Sequence, residues 1–434
     1  MIKANKTNAW KWVPTLYFAE GLPYILVTAL SVIMYKRLGL SNAEIALYTS
    51  WLYLPWVIKP FWSPIVDIKS TKRKWFLILQ FILALTILGV ALSLKVNAWL
   101  SFSLFFFWLA AFSSATHDIA ADGFYMLGLD EKQQSFFIGV RSTFYRIALI
   151  TGQGLVVILA GYLEDHYQDN QQAWSVSLII VASGMFLLTA YNFFAVPKVE
   201  TTNSGKKIAM NEFFDVFVSF FKKKGIGIAI AYVLLYRLGE SQLVKIASPF
   251  LLDAREVGGL GLSTQEVGFI FGTLGLIALS LGGILGGILV ARDGLGKWIV
   301  PMALALNLPN VLYALLAFWQ PAEAYWVMGV VTLEQFGYGL GFTSFMLYLI
   351  FVAEGPTKTA HYAIGTGFMA LGMMLPGMIS GFIQEFLGYK YFFIWVVIAA
   401  MPGIFIIRFL QFPKNYGKNE DKAVQAAEEK NPEL

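Results

Sequence analysis

Twelve apolar runs of spanning length constrain this chain more than any other feature of its sequence. They lie at about 13–36, 44–66, 75–95, 98–128, 136–161 and 173–196, then at about 226–252, 264–291, 298–320, 324–353, 360–386 and 391–411. A hydrocarbon layer of roughly 30 Å needs about 20 mostly apolar residues per helical crossing. Lipid offers the backbone no hydrogen bonds, so such segments must satisfy their own as helices. The chain's 434 residues are 57% hydrophobic and 14% charged, against about 25% charged in ordinary soluble domains. An all-α integral membrane protein of about twelve transmembrane helices is the fold class these runs dictate.

The residues between the runs organise the chain. Residues 1–196 form a first six-helix half and 226–411 a second. The stretch 197–225 carries Lys198, Lys206, Lys207 and Lys222 to Lys224, and reads as a basic linker with an amphipathic turn over Phe213 to Phe217. Residues 412–434 are charged, without an apolar face, and read as a solvated tail. Lys3, Lys6 and Lys11 precede the first run and no small-residue cleavage site stands out, so that run reads as a retained helix.

Basic residues sit in alternate loops, at Lys69 to Lys74, Lys132, the linker, Arg292 and Lys297, Lys358 and the tail. The intervening loops are poorer in them, with Lys36 and Arg37 the clear exception. By the positive-inside rule both termini face the cytoplasm. The net charge of +5 is therefore topology and not a nucleic-acid surface. The absence of cysteine excludes disulfides and thiolate chemistry. No nucleotide loop, metal site or catalytic triad is found, so neither a cofactor nor an enzyme activity is expected.

An internal repeat ties the halves together. Leu38-Gly39-Leu40-Ser41-Asn42-Ala43-Glu44-Ile45 recurs as Leu260-Gly261-Leu262-Ser263-Thr264-Gln265-Glu266-Val267. In each copy Ser and Glu stand three apart ahead of an apolar run, which is a capping box for the second helix of a half. The parallel offset matches transporters whose halves are related by an axis along the membrane normal.

Ionisable residues inside the runs cost roughly 3 kcal/mol each on insertion scales, so each is a functional candidate. Asp118 and Asp122 stand four apart in the fourth run and project from one helix face, where mutual repulsion and desolvation suit a carboxylate to carrying a proton. Asp122 is alternatively a partner of Arg141 or Lys132. His117 either shares a proton relay or makes a plain helix contact. Arg146 in the fifth run needs a counter-ion or an anionic cargo, and Gly152 and Gly154 beside it suit close helix packing. In the seventh run Tyr236, Arg237, Glu240 and Lys245 largely share a face; Arg237 and Glu240 either meet cargo or neutralise one another. Glu20, beside Gly21 and Pro23, and Glu334 are lone carboxylates and proton-site candidates. His361 reads as interfacial. Gly282-Gly283 with Gly286-Gly287 reads as a helix-packing face.

Four stretches resemble the AmpG family of muropeptide permeases within the major facilitator superfamily. They are Tyr17 to Pro23; Leu54-Pro55 to Lys59 with Trp62-Ser63-Pro64 to Asp67; Phe112 to Asp122; and Leu235 to Glu240 with Pro249 to Leu252 and Gly261 to Gly268. The segments around Asp67 and Arg73, and around Arg292 and Asp293, look like the superfamily's cytoplasmic gating motif, the first without its glycines. His117 stands where Gln is expected, Glu20 where a small residue is expected, and Arg237 and Glu240 where Lys and Asp are expected. These departures bear on substrate and coupling. The resemblance implies import of a disaccharide of N-acetylglucosamine and anhydro-N-acetylmuramic acid, with or without a peptide, by proton symport and alternating access. It implies a monomer in a bacterial cytoplasmic (inner) membrane. Arg146, Tyr145, Arg237, Tyr236, His117 and Lys59 would contact the cargo, and Asp118, Asp122, Glu20, Glu240 and Glu334 would serve proton coupling. Eukaryotic acetyl-CoA transporters look like distant relatives, so another organic anion such as an acyl-CoA, or another sugar, is the alternative cargo.

Overall fold

In a computed structural model, residues 8–199, 210–355 and 357–418 are described; side chains at 64, 65, 67–69, 131, 132, 135 and 210–214 are not. Lys132 and Asp67, each named above, thus lie outside the described side chains. Six helices make up the first half. They are α1 (Ala9–Arg37), α2 in two pieces (Asn42–Trp51 and Leu54–Lys69), α3 (Lys72–Ser93), α4 (Trp99–Gly128), α5 (Phe136–Tyr167) and α6 (Asn170–Ala195). The second half holds α7 in two pieces (Ile226–Leu235 and Leu238–Leu252), α8 (Thr264–Asp293), α9 (Leu295–Trp319), α10 (Ala324–Ala353), and the segment Lys358–Phe409. Gly388, at φ 70°, divides that last segment into α11 (358–387) and α12 (389–409). Nine helices among the described residues are long and apolar enough to cross a membrane. The split at Gly388 and the two broken helices α2 and α7 bring the crossings to the twelve that the sequence predicts.

Each break has a local cause or a local consequence. Pro55 cannot donate to the carbonyl of Trp51, so α2 ends and restarts with Pro55 in its first turn. This presents Trp56 and Lys59 near a helix start. The α7 break makes Arg237 the N-cap residue of the second piece, with Glu240 in that piece's first turn, where a carboxylate suits the helix dipole. Both capping boxes form as expected: Ser41 with Glu44 and Ser263 with Glu266, each with reciprocal bonds.

One turn of π-helix interrupts α1 (Leu26–Leu30), α5 (Thr151–Leu155) and α8 (Ile270–Gly275). The last two cross at a glycine pair. A Cβ on Gly272 would collide with the backbone of Gly154, and one on Gly154 would stand 3.0 Å from the Gly272 carbonyl. Farther along the same seam, Gly161 faces Gln265 and Gly268 faces Val157 and Ile158. The halves thus meet backbone to backbone along α5 and α8, the arrangement small residues permit in a bilayer. Gly282 and Gly286 pack likewise against Phe336 and Thr343 of α10.

Two expectations are corrected. The linker holds a full helix, Met210–Phe221, where the sequence suggests one amphipathic turn. His361, near the start of α11, is buried and lies 2.9 Å from Ser219 of that helix. Residues 412–418, mostly exposed, are anchored to the second half where a free tail is expected. Leu295 and Gly296 donate to the carbonyls of Tyr416 and Lys414, Phe412 packs on Tyr348 and Phe351, and the Tyr416 hydroxyl donates to Glu354. Aromatic residues at 412 and 416 supply the apolar anchor that the surrounding charge obscures.

Gly272→Val forces a side chain into the α5–α8 crossing and is expected to cost about 1–3 kcal/mol, as overpacking does. Gly287→Ala, whose Cβ meets nothing within 4 Å, should leave stability unchanged or raised. Thermal unfolding of the two purified variants checks the contrast.

Candidate functional site

The polar residues of the spanning helices gather in three places. The first lies inside the N-terminal half. Asp118 of α4 accepts from the Trp56 indole at 3.2 Å and from the Lys59 ammonium at 3.4 Å, both on the second piece of α2. One turn on, Asp122 pairs with Arg141 of α5 at 2.8 Å and accepts from the Tyr17 hydroxyl at 3.2 Å. The guanidinium of Arg141 lies over the Tyr17 ring, 4.4 Å from its centroid. The two aspartates do share a helix face, but each has its own cation.

Glu20 of α1 is buried, and its Oε2 has no hydrogen-bond partner among the described residues. Ligand atoms of Glu20, His117 and Asp118 all lie within 4.8 Å of one another. Two carboxylates and an imidazole at this spacing have the chemistry to hold a divalent ion. The Lys59 ammonium, 3.4 Å from Asp118, opposes a second cation there. Around these charges stands an aromatic wall, of which the sequence reading singled out Tyr145 alone. Tyr24 meets Trp56 edge-on at 5.4 Å and lies 6.4 Å from Tyr145; Tyr53 lies 6.4 Å from Trp56.

His117, expected above as a cargo contact, lies inside the first half. It is 1% exposed and faces α3, where its Nε2 lies 3.1 Å from the Gln80 amide. Gln80 accepts from Asn192 of α6, which accepts from Thr15 of α1 at 2.6 Å. This string crosses four helices within the first half.

The second place is in the C-terminal half. Arg237 grips Glu240 through two bonds of 2.5 and 2.9 Å and donates to the Tyr338 hydroxyl at 2.7 Å. It also lies over the Phe342 ring at 5.3 Å. Mutual neutralisation, one of the two readings open for this pair, is what the structure displays. Tyr236, expected above as a cargo contact, is fully buried, stacks on Phe345 at 5.1 Å and donates to the Gly341 carbonyl. Glu334 of α10 accepts from Gln335 at 2.9 Å and from Tyr313 of α9 at 3.4 Å. Arg146 of α5 lies against α8. Its one hydrogen bond among the described residues is long, 3.5 Å to the Ser280 carbonyl of α8, so most of its donors remain unspent. It bridges the halves.

The third place is the end carrying the loops 38–41 and 253–263. Lys36 pairs with Asp253 of the other half at 2.7 Å. Asn42 accepts from Lys36 and donates to Gln384 and Tyr389, while Tyr389 donates to Asp253. Glu164 accepts from Arg37, Trp174 and Thr264, the last at 2.6 Å across the halves. The two basic residues that break the loop-charge pattern are thereby explained. They are halves of ion pairs. At the opposite end the pairs Arg292–Asp293 and Lys297–Asp293 stay inside one half. Arg73 donates to the carbonyls of Phe193 and Val196, which caps the last turn of α6.

A helical membrane fold with charged groups gathered between and within two related halves defines a solute transporter architecture. Residues 16–360 match the Major Facilitator Superfamily, and the chain belongs to that family. It is 26% identical over 416 residues to a protein named putative transporter AmpG 4 of Rickettsia conorii, covering 92% of this chain and 96% of that one. It is 23% identical over 422 residues to the anhydromuropeptide permease of Escherichia coli K12, covering 94% and 81% respectively. Among solved structures, the nucleoside transporter NupG superposes with a TM-score of 0.70 at 17% identity, covering 92% of this chain and 98% of that one. A D-xylose-proton symporter does so with a TM-score of 0.72 at 11% identity, covering 95% and 99%. At these identities the solved structures establish the fold alone.

Lys36→Asp places a like charge against Asp253 and is expected to weaken the closed end by about 1 kcal/mol, the scale of a partly exposed pair. Adding Asp253→Lys should restore it. Melting temperatures of the two single variants and the swap, as a double-mutant cycle, check the pairing.

Proposed function

We propose that this protein is a secondary active transporter that imports an anhydro-muramyl amino-sugar, with or without attached peptide, together with a proton, by alternating access. The observation that carries the reading is the charge balance of the first cluster. Three carboxylates, Glu20, Asp118 and Asp122, face two cations, Lys59 and Arg141. Neutrality in a low-dielectric interior therefore calls for one more positive charge, and a proton shared between Glu20 and Asp118 supplies it. His117, held by Gln80, positions this pair and does not touch cargo.

The aromatic wall of Tyr24, Trp56 and Tyr145 suits the apolar faces of sugar rings, with Tyr53 behind it. Arg146, with donors unspent, suits the carboxylate of a lactyl group or a peptide. The similarity to AmpG proteins supports this cargo class. The ion pair and hydrogen bonds at the loop 38–41 end support a state closed on that side. The distribution of Lys and Arg supports that side being extracellular to the cytoplasmic membrane, with both termini inside. Asp118 and Glu20 would exchange the proton, Arg237 would leave Glu240 when cargo binds, and the Arg292–Asp293 turn would gate the inner end.

Reconstituted vesicles with an inward proton gradient should accumulate labelled disaccharide several-fold above vesicles without one. Asp118→Asn should abolish that gradient-driven gain while leaving cargo exchange down its own gradient. Accumulation of an acyl-CoA in place of the disaccharide would move the cargo assignment. Accumulation indifferent to the proton gradient would overturn the coupling.

A further inference from the structure

Lys245 is a buried cation that the transport reading leaves unused. It sits on the second piece of α7 with no exposed surface. Among the described residues its ammonium makes one hydrogen bond, 2.9 Å to the Thr49 hydroxyl on α2 of the other half. Thr49 gives its own hydrogen to the Ile45 carbonyl at 2.7 Å, so toward Lys245 it acts as an acceptor. The remaining polar contact is the face of the Tyr53 ring, 4.9 Å from Nζ. A charged lysine carries three donors, and this pocket meets one of them with an oxygen.

No carboxylate faces it as a partner among the described residues, because those on the surrounding helices are engaged elsewhere. On α7, Glu240 is held by Arg237 and Asp253 by Lys36 of α1. On α2, Glu44 closes its capping box; on α8, Glu266 does the same. On α11, Glu385 accepts from the Ala43 backbone. The other cations nearby, Lys36 and Arg37 of α1, are paired with Asp253 and Glu164, and Lys390 of α12 lies over Phe318. Gly377 of α11 closes the pocket from the third side. A Cβ there would stand 2.8 Å from Ser50 and 3.5 Å from the Lys245 chain. The buried Ser50 hydroxyl has no partner among the described residues.

This pocket is assembled from both halves. Burying a cation without counter-charge is expensive, whereas a neutral amine with one hydrogen bond and an aromatic neighbour is not. We propose that Lys245 is a proton site that reports the state of the closed end: it takes a proton from water when α2 parts from α7 and returns it as the halves shut. The site is separate from the Glu20–Asp118 pair and does not depend on cargo identity, although it rests on the alternating-access reading. Opening would thus be linked to proton uptake at a second position, on the opposite side of the half-to-half seam.

The chain has no cysteine, so spin labels can be placed by two substitutions alone. Gln172→Cys on α6 and Val257→Cys after α7, both at exposed positions, report separation of the halves by pulsed dipolar spectroscopy in nanodiscs between pH 6 and 9. The separated population should grow as pH falls, by up to about tenfold per unit for one linked proton. Lys245→Met should hold the closed distance and flatten that dependence. Lys245→Arg, which stays charged, should favour separation even at pH 9. A wild-type slope retained in Lys245→Met, or Lys245→Arg as closed as the wild type, overturns the proposal. If Lys245→Met fails to fold, a separated wild-type population that ignores pH overturns it equally. No separated population in any variant at any pH overturns the alternating-access reading itself.

Discussion

Hydrocarbon supplies neither hydrogen bonds nor counter-ions, and this constraint decides where every polar group in the molecule stands. The backbone answers it with helices, and where a helix breaks, at Trp51 to Leu54 or at Tyr236 and Arg237, the break lies against other helices and presents charge to them. The side chains answer it by pairing. Asp118 meets Lys59 and Trp56, Asp122 meets Arg141 and Tyr17, and Arg237 meets Glu240 and Tyr338. Three groups are left over from that pairing. Glu20 has an unpartnered oxygen, Arg146 has unspent donors, and Lys245 has one oxygen where an ammonium wants three.

The seam between the halves is made of two unlike materials. Glycines 154, 161, 268 and 272 let α5 and α8 touch by backbone, a contact with little tolerance for partial separation. The loop-end network is polar: Lys36 and Asp253 are partly exposed, so water can replace their bond at small net cost, while Asn42 and Glu164 are buried. A seam that is sterically close yet held at its rim by exchangeable bonds suits a device with two discrete states.

How much of this was legible in the sequence follows from how local each signal is. The spans, the capping boxes at Ser41 and Ser263, and the packing role of Gly154 need only a few consecutive residues to be read. Partnership across the chain is different. Lys36 and Asp253 are distant in sequence, and nothing near either one names the other, so the sequence shows Lys36 only as an exception to the charge pattern. Direction around a helix axis was equally hidden. His117 and Tyr236 sit in polar-rich stretches, and only the packed structure shows the first turned to Gln80 and the second stacked on Phe345. Tyr24 and Trp56, which complete the aromatic wall beside Tyr145, escaped notice because aromatic residues in a membrane chain are read first as lipid-facing. The fold at 412–418 was obscured by the charge around Phe412 and Tyr416.

The central claim is that one proton enters with each cargo molecule through the Glu20 and Asp118 pair. It is tested most directly by following the internal pH of vesicles, with a trapped pH-sensitive dye, as disaccharide is added outside without any imposed gradient. Cargo-dependent acidification of the lumen, lost in Asp118→Asn, is the predicted result. Entry of disaccharide with the internal pH unmoved would contradict it.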